Sequence, residues 1–189
     1  MIFFFTTLRK IATHPALFFN GILKHPSYRL SSVLAFALVC HWIAMLFHSF
    51  YEPARNFSHF FIKTGAVLGD PFWTLSSLFI NSFLVFVGAR LILGSDRIVF
   101  FEEVLILVSL SYSSCLFLAL PQFGGLLTGF TGVFLLVVAV RESFQTTIQR
   151  AFIIALFPPL FWIATALAFG GMMTGWAVKL LILNLDRLW

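Results

Sequence analysis

Charge is what this sequence has least of: only 10% of its 189 residues are Asp, Glu, Lys or Arg, against 60% that are apolar. Soluble domains carry about a quarter charged residues, so a water-facing surface of ordinary extent cannot be assembled from this chain. Cysteine is nearly absent too. Cys40 and Cys115 both lie inside apolar runs, without CxxC or Cys/His spacing, and read as small hydrophobic residues rather than metal ligands. Catalytic signatures are missing: there is no GxGxxG, no P-loop, no HExxH, no GxSxG and no pair of His ligands on one helix face. These gaps predict no enzyme, no metal site and no cofactor. Two similar halves, the mark of inverted-repeat transporters, are also lacking.

What is abundant is apolar bulk, with 26 Phe, 5 Trp and a mean hydropathy of +1.00. Such bulk fills lipid tails, and aromatic rings sit well at headgroup level. A spanning helix needs about 20 apolar residues at about 1.5 Å each to cross about 30 Å of hydrocarbon. Five runs satisfy this, at 31–51, 72–93, 103–120, 123–140 and 151–169. The expected fold is therefore all-α, a polytopic transmembrane helix bundle of about five spans occupying 31–171. Pro121-Gln122 leaves the third and fourth spans as a tight hairpin. Pro158-Pro159 predicts a kink or local break in the fifth, and Gly170-Gly171 its end.

Other stretches are apolar but too short or too interrupted to span. Residues 1–30 read as a cytoplasmic segment of interfacial amphipathic helices, broken at His14-Pro15. Its apolar residues precede Arg9-Lys10, the reverse of a cleaved signal peptide, so no processing is expected. Asn56 to Leu68 reads as a surface helix on the opposite side. Residues 172–189 read as an interfacial tail, because a sixth span would hold Lys179 near mid-depth. Five spans place eight Lys and Arg on one side and four on the other. The richer side is cytoplasmic by the positive-inside rule, which puts the N-terminus in and the C-terminus out. The net charge of +5 is scattered between apolar runs, a topology signal and not a nucleic-acid footprint.

Polar residues near mid-depth are the candidates for chemistry. His41 lies in the first span, Asn81-Ser82 in the second, and Ser109, Ser111, Tyr112, Ser113 and Ser114 crowd the third. If these spans are neighbours, His41, Asn81, Ser111 and Tyr112 form one buried cluster. It serves either as interhelical hydrogen-bond glue or as a proton or small-solute pathway with His41 as the titrating group. A second group is Arg90, Glu102 and Glu103, on one side across a short loop, where an ion pair would anchor the second hairpin. Gly125, Gly129 and Gly132 have the spacing of a close helix crossing, within the chain or with a second copy.

The pattern resembles the Ypt-interacting-protein (Yip) family of small five-span membrane proteins. The resemblance runs from about Thr13 to about Trp162. Its entry is Thr13-His14-Pro15-Ala16-Leu17-Phe18-Phe19, with Pro26 before the first span. Its central part is Gly88-Ala89-Arg90-Leu91-Ile92-Leu93-Gly94, then Phe101-Glu102-Glu103-Val104, Tyr112-Ser113-Ser114, Pro121 and Gly124-Gly125. It continues as Val138-Ala139-Val140-Arg141-Glu142 and Gln149-Arg150-Ala151. The resemblance implies a cytoplasmic N-terminus. It also implies kinship with adaptors that bind prenylated GTPases, whose eukaryotic members usually carry a long hydrophilic N-terminal region. Only about 30 residues precede the first span here, so the chain is similar to the short bacterial inner-membrane members. The expected role is a non-enzymatic membrane scaffold or adaptor, with membrane lipids, a second copy or another membrane protein as partners and no nucleic acid. The alternative is a small channel or transporter for protons, ions or lipids built on the polar cluster.

Overall fold

A chain surrounded by hydrocarbon must hydrogen-bond its own backbone, and a helix does so within one segment. A computed structural model describes the backbone of residues 2–25, 28–51, 57–94, 97–120 and 122–185, with side chains over 3–23, 25, 28–48, 69–94, 97–120 and 122–169. Among these residues there is no strand. The elements are α1 (Ile2–Thr13), α2 (Pro15–Phe19), a 3₁₀ turn (Ile22–Lys24), α3 (Leu30–Tyr51), α4 (Phe57–Leu93), α5 (Phe101–Ser111), a 3₁₀ segment (Tyr112–Ala119), α6 (Gly124–Phe144) and α7 (Ile148–Leu185). Five stretches are long and apolar enough to cross a membrane: Leu30–His48, Gly69–Leu93, Phe101–Ala119, Gly124–Phe144 and Ile148–Phe169. The chain is an integral, multi-pass membrane protein.

Two expected helix ends are absent. The surface helix expected to end at Leu68 is the first part of α4, which runs unbroken through Pro71. Likewise α7 continues through Pro158, Pro159 and the Gly170-Gly171 pair to Leu185, so the backbone of 172–185 is a continuation of the helix and not a separate tail. The physical reason is that proline removes one backbone donor, whereas opening the ladder where water is scarce leaves several groups unpaired. Arg55, Asn56, Asp96, Pro121 and Arg187 lie outside the described residues, as do the side chains of Lys24, Lys63 and Lys179.

The chain divides into two compact units, Met1–Ala155 and Leu156–Trp189. The second is the remainder of α7, a single helix to Leu185 with Leu160, Leu167 and Phe169 exposed. In the first unit the third span is central. Its window is 61% buried, against 28–33% for the first, second and fourth. Helices α3, α4 and α6 each pack on α5, and α3 and α6 also pack on its 3₁₀ continuation. Val33 and Cys40 of α3, Val85 and Ala89 of α4, Leu107 and Leu110 of α5, and Val140 of α6 are fully buried. The first turns of α7 add Ala151, Ile154 and Ala155. Phe83, Phe130 and Phe134 point outward, where lipid would cover them.

The N-terminal helices are folded onto this bundle, with the break between them at His14-Pro15. Ile11, Phe18, Phe19 and Ile22 are buried, and Phe4 meets Phe36 of α3 with ring centres 5.3 Å apart. Polar ties fasten the same end. Ser143 Oγ donates to the Phe19 carbonyl at 3.1 Å, and Arg97 donates to the Ser143 carbonyl at 2.8 Å. The Arg97 guanidinium also lies 4.9 Å from the centre of the Phe144 ring. A cation is thereby placed at the C-terminus of α6, where carbonyls lack helical partners.

The third span changes winding at Tyr112. Ser109 and Ser111 donate to the carbonyls of Leu105 and Leu107 at 2.6 and 2.9 Å, a back-bonding that bends helices. Leu120 is extended, with ψ of 124°, as the residue before a proline prefers. Across the hairpin, Gln122 takes a left-handed backbone with φ of 67°. Gly124 then lies hard against the 3₁₀ segment. A methyl group there would fall 2.5 Å from the Phe117 carbonyl oxygen and 3.0 Å from Leu118 Cα. A methyl group on Gly125 would meet nothing within 4 Å.

These two glycines make a matched test. Gly124→Ala is expected to destabilise the protein by about 1–3 kcal/mol through overpacking against backbone. Gly125→Ala is expected to be neutral or slightly stabilising. Cys40 and Cys115 are free and buried, so a thiol-reactive fluorogenic dye in detergent reports the unfolding midpoint of both variants.

Candidate functional site

Four polar residues of α4, Asp70, Thr74, Ser77 and Asn81, follow one another at steps of four, three and four residues. That spacing puts them on one helix face, which packs on α3 and α5. His41 of α3 meets the outer end of this stripe. Its Nδ1 lies 2.6 Å from Asp70 Oδ2 and 2.8 Å from Thr74 Oγ1, and Thr74 donates to Asp70 Oδ2 at 3.3 Å. The side chains of His41 and Asp70 are 15% and 8% exposed. One assignment of hydrogens satisfies all three groups. The Nδ1 hydrogen of His41 is shared by Asp70 and Thr74, and the Thr74 hydroxyl donates to the carboxylate. The lone pair then rests on Nε2.

Tyr112, where the third span changes winding, meets the deeper end. Asn81 Nδ2 donates to its hydroxyl at 3.0 Å, and Ser77 Oγ lies 3.1 Å from the same oxygen. Ser77 in turn donates to the Thr74 carbonyl at 3.0 Å. The donors therefore run in one direction, from Asn81 to Tyr112, to Ser77, to a backbone carbonyl. A carbonyl cannot pass a proton onward. The Tyr112 part of the seam ties α4 to the third span, and the His41–Asp70 pair ties α3 to α4. Beyond Asn81, α4 presents Val85 and Ala89 to the core, both fully buried.

The expected cluster is thus split and enlarged. Asn81 and Tyr112 are together; His41 is joined to them only through Thr74. Ser111 does not take part, because its hydroxyl bonds within its own helix to Leu107. Asp70, Thr74 and Ser77 were missed. Asp70-Pro71 reads as a span boundary, yet the 4–3–4 spacing up to Asn81 is the signal that would have found all three. Ser82, adjacent in sequence, is buried with no partner for its hydroxyl among the described residues.

The other candidates lie elsewhere. Arg90 is exposed and sits 5.7 Å from the centre of the Phe86 ring, and no ion pair joins it to Glu102 or Glu103. The reason is local: Glu103 Oε2 accepts the Phe100 backbone N–H at 3.1 Å and so helps cap α5, while Glu102 is exposed. Of the three spaced glycines only Gly132 has an intrachain neighbour, with Ser114 Oγ 3.0 Å from where a methyl group would sit. Gly125 and Gly129 face open space. Among the described residues no three His, Cys, Asp or Glu side chains converge as a metal site requires.

Removing one member of a buried hydrogen bond to a carboxylate strands the other, at a cost of about 3 kcal/mol. Asp70→Leu and His41→Leu are each expected to lower stability by about that much, and the double variant by clearly less than their sum. Tyr112→Phe should lose about 1 kcal/mol. Thiol-dye unfolding of the four variants checks this, and additive single losses would show that the pair is uncoupled. No family model, no curated protein and no solved structure matches this chain.

Proposed function

We propose that the chain is a non-enzymatic five-span membrane scaffold or adaptor, of the kind the Yip resemblance implies. The observation that carries this reading is the closure of the seam. Among the described residues, Asn81, Tyr112 and Ser77 bond to one another and to the Thr74 carbonyl, an arrangement suited to holding helices together. The outer surface supports the same reading. Helix α1 is fastened to the bundle yet presents Phe5, 61% exposed, together with exposed Arg9 and Lys10. The open Gly125 and Gly129 positions on α6 are suited to close approach of a second copy. The loop charge balance supports a cytoplasmic N-terminus and an outside C-terminus.

A second reading, a small proton-handling transport protein, is favoured by one observation: the His41–Asp70 pair at 2.6 Å inside the bundle. One experiment separates the two. The protein is purified in nanodiscs, its co-purifying species are identified by mass spectrometry, and proton flux is measured in proteoliposomes. The scaffold reading expects no flux above empty vesicles. It also expects either a defined homo-oligomer lost in Gly125→Leu/Gly129→Leu, or a stoichiometric partner lost in Phe5→Asp. A monomer carrying only lipid, with flux abolished by a folded His41→Ala variant, would overturn it in favour of proton transport.

A further inference from the structure

The first acidic residue of the chain is Glu52, whereas Arg9, Lys10, Lys24 and Arg29 all precede it. This one-signed stretch contains a built concavity. Gly21, in the left-handed region with φ of 84°, turns the chain back after α2. The 3₁₀ turn that follows brings His25 and Tyr28 toward the end of α1 and the start of α2. Between them is an open cleft of about 320 Å³, at the small end of the range for ligand pockets.

The cleft is lined by Lys10, His14, Asn20 and His25, with Tyr28 and Leu17 among its other walls. Every polar group in that set can donate a hydrogen bond. The ammonium has three N–H, the amide two, and each imidazole keeps at least one ring N–H in either protonation state. No carboxylate lines the cleft. Tyr28 is held in place by its neighbours, with Phe3, Phe18 and His25 rings 5.4–5.5 Å from its own. Leu17, 73% exposed, forms an apolar lip.

An amphipathic segment of this kind lies at the boundary between headgroups and acyl chains, the depth at which lipid phosphates are found. We propose that this cleft binds the phosphate of an anionic phospholipid. Lys10, His14 and His25 donate to its oxygens, and the glycerol and first acyl carbons lie against Leu17. The site stands on the cleft and on the membrane setting of α1 and α2, independently of whether the protein is a scaffold or a transporter.

The full chain in detergent is titrated with phosphatidylglycerol or phosphatidylcholine, and bound lipid is counted by native mass spectrometry. Phosphatidylglycerol is expected to bind at least about fivefold more tightly, the worth of one near-surface cation. Lys10→Gln should weaken it about fivefold, and Lys10→Gln/His14→Gln/His25→Gln should erase the preference. Arg29→Gln, an exposed cation outside the cleft, should keep it. Equal binding of the two lipids, an unchanged triple variant, or the same loss in Arg29→Gln would overturn the proposal. Displacement of phosphatidylglycerol by inorganic phosphate at equal concentration would do so as well, by making free phosphate the ligand. Lys10 is exposed, so the single variant remains informative even if the triple one fails to fold.

Discussion

Polar groups inside a lipid-embedded bundle have no water to fall back on, and each must find its partner within the chain. This constraint shapes the protein more than any single contact. It explains why Asp70 is paired as soon as α4 enters its apolar run, with His41 and Thr74 both on one carboxylate oxygen. It explains why Ser109 and Ser111 bond to carbonyls of their own helix. It also explains why α4 and α7 run through their prolines, since one missing donor is a smaller loss than an opened ladder.

The two ends of the bundle meet this demand differently. At one end a cation reaches a helix terminus: Arg97 caps α6 through the Ser143 carbonyl, and the Ser143 hydroxyl fastens the Phe19 carbonyl of α2. Three segments distant in sequence are thereby fixed in register. Toward the other end, a histidine–aspartate pair and a tyrosine join α3, α4 and the third span through side chains alone. The first arrangement holds a surface in place. The second holds helices together in the interior.

Much of the architecture was legible in the sequence because twenty-residue apolar runs and the Pro121-Gln122 turn have few other meanings. Polar residues in mid-run were equally conspicuous, and Asn81 does meet Tyr112. What escaped depended on direction. Asp70 beside Pro71 looks like a loop until its helix face is compared with Thr74, Ser77 and Asn81. Arg90 and the glutamates seemed matched by proximity along the chain, but the unpaired N–H of Phe100 at the start of α5 had the stronger claim on Glu103. Glycine spacing shows which residues share a face and not what that face meets. Thus Gly124, outside the spaced set, is the one pressed against backbone.

The eight 3₁₀ residues Tyr112–Ala119 have a consequence for bilayer thickness. A 3₁₀ helix rises about 2.0 Å per residue and an α-helix about 1.5 Å, so rewinding this segment would shorten the third span by about 4 Å. That is close to the difference in hydrocarbon depth between thinner and thicker biological membranes. The 3₁₀ winding thus gives the central span more reach than the same residues would have as an α-helix, and so fits it to a thicker bilayer.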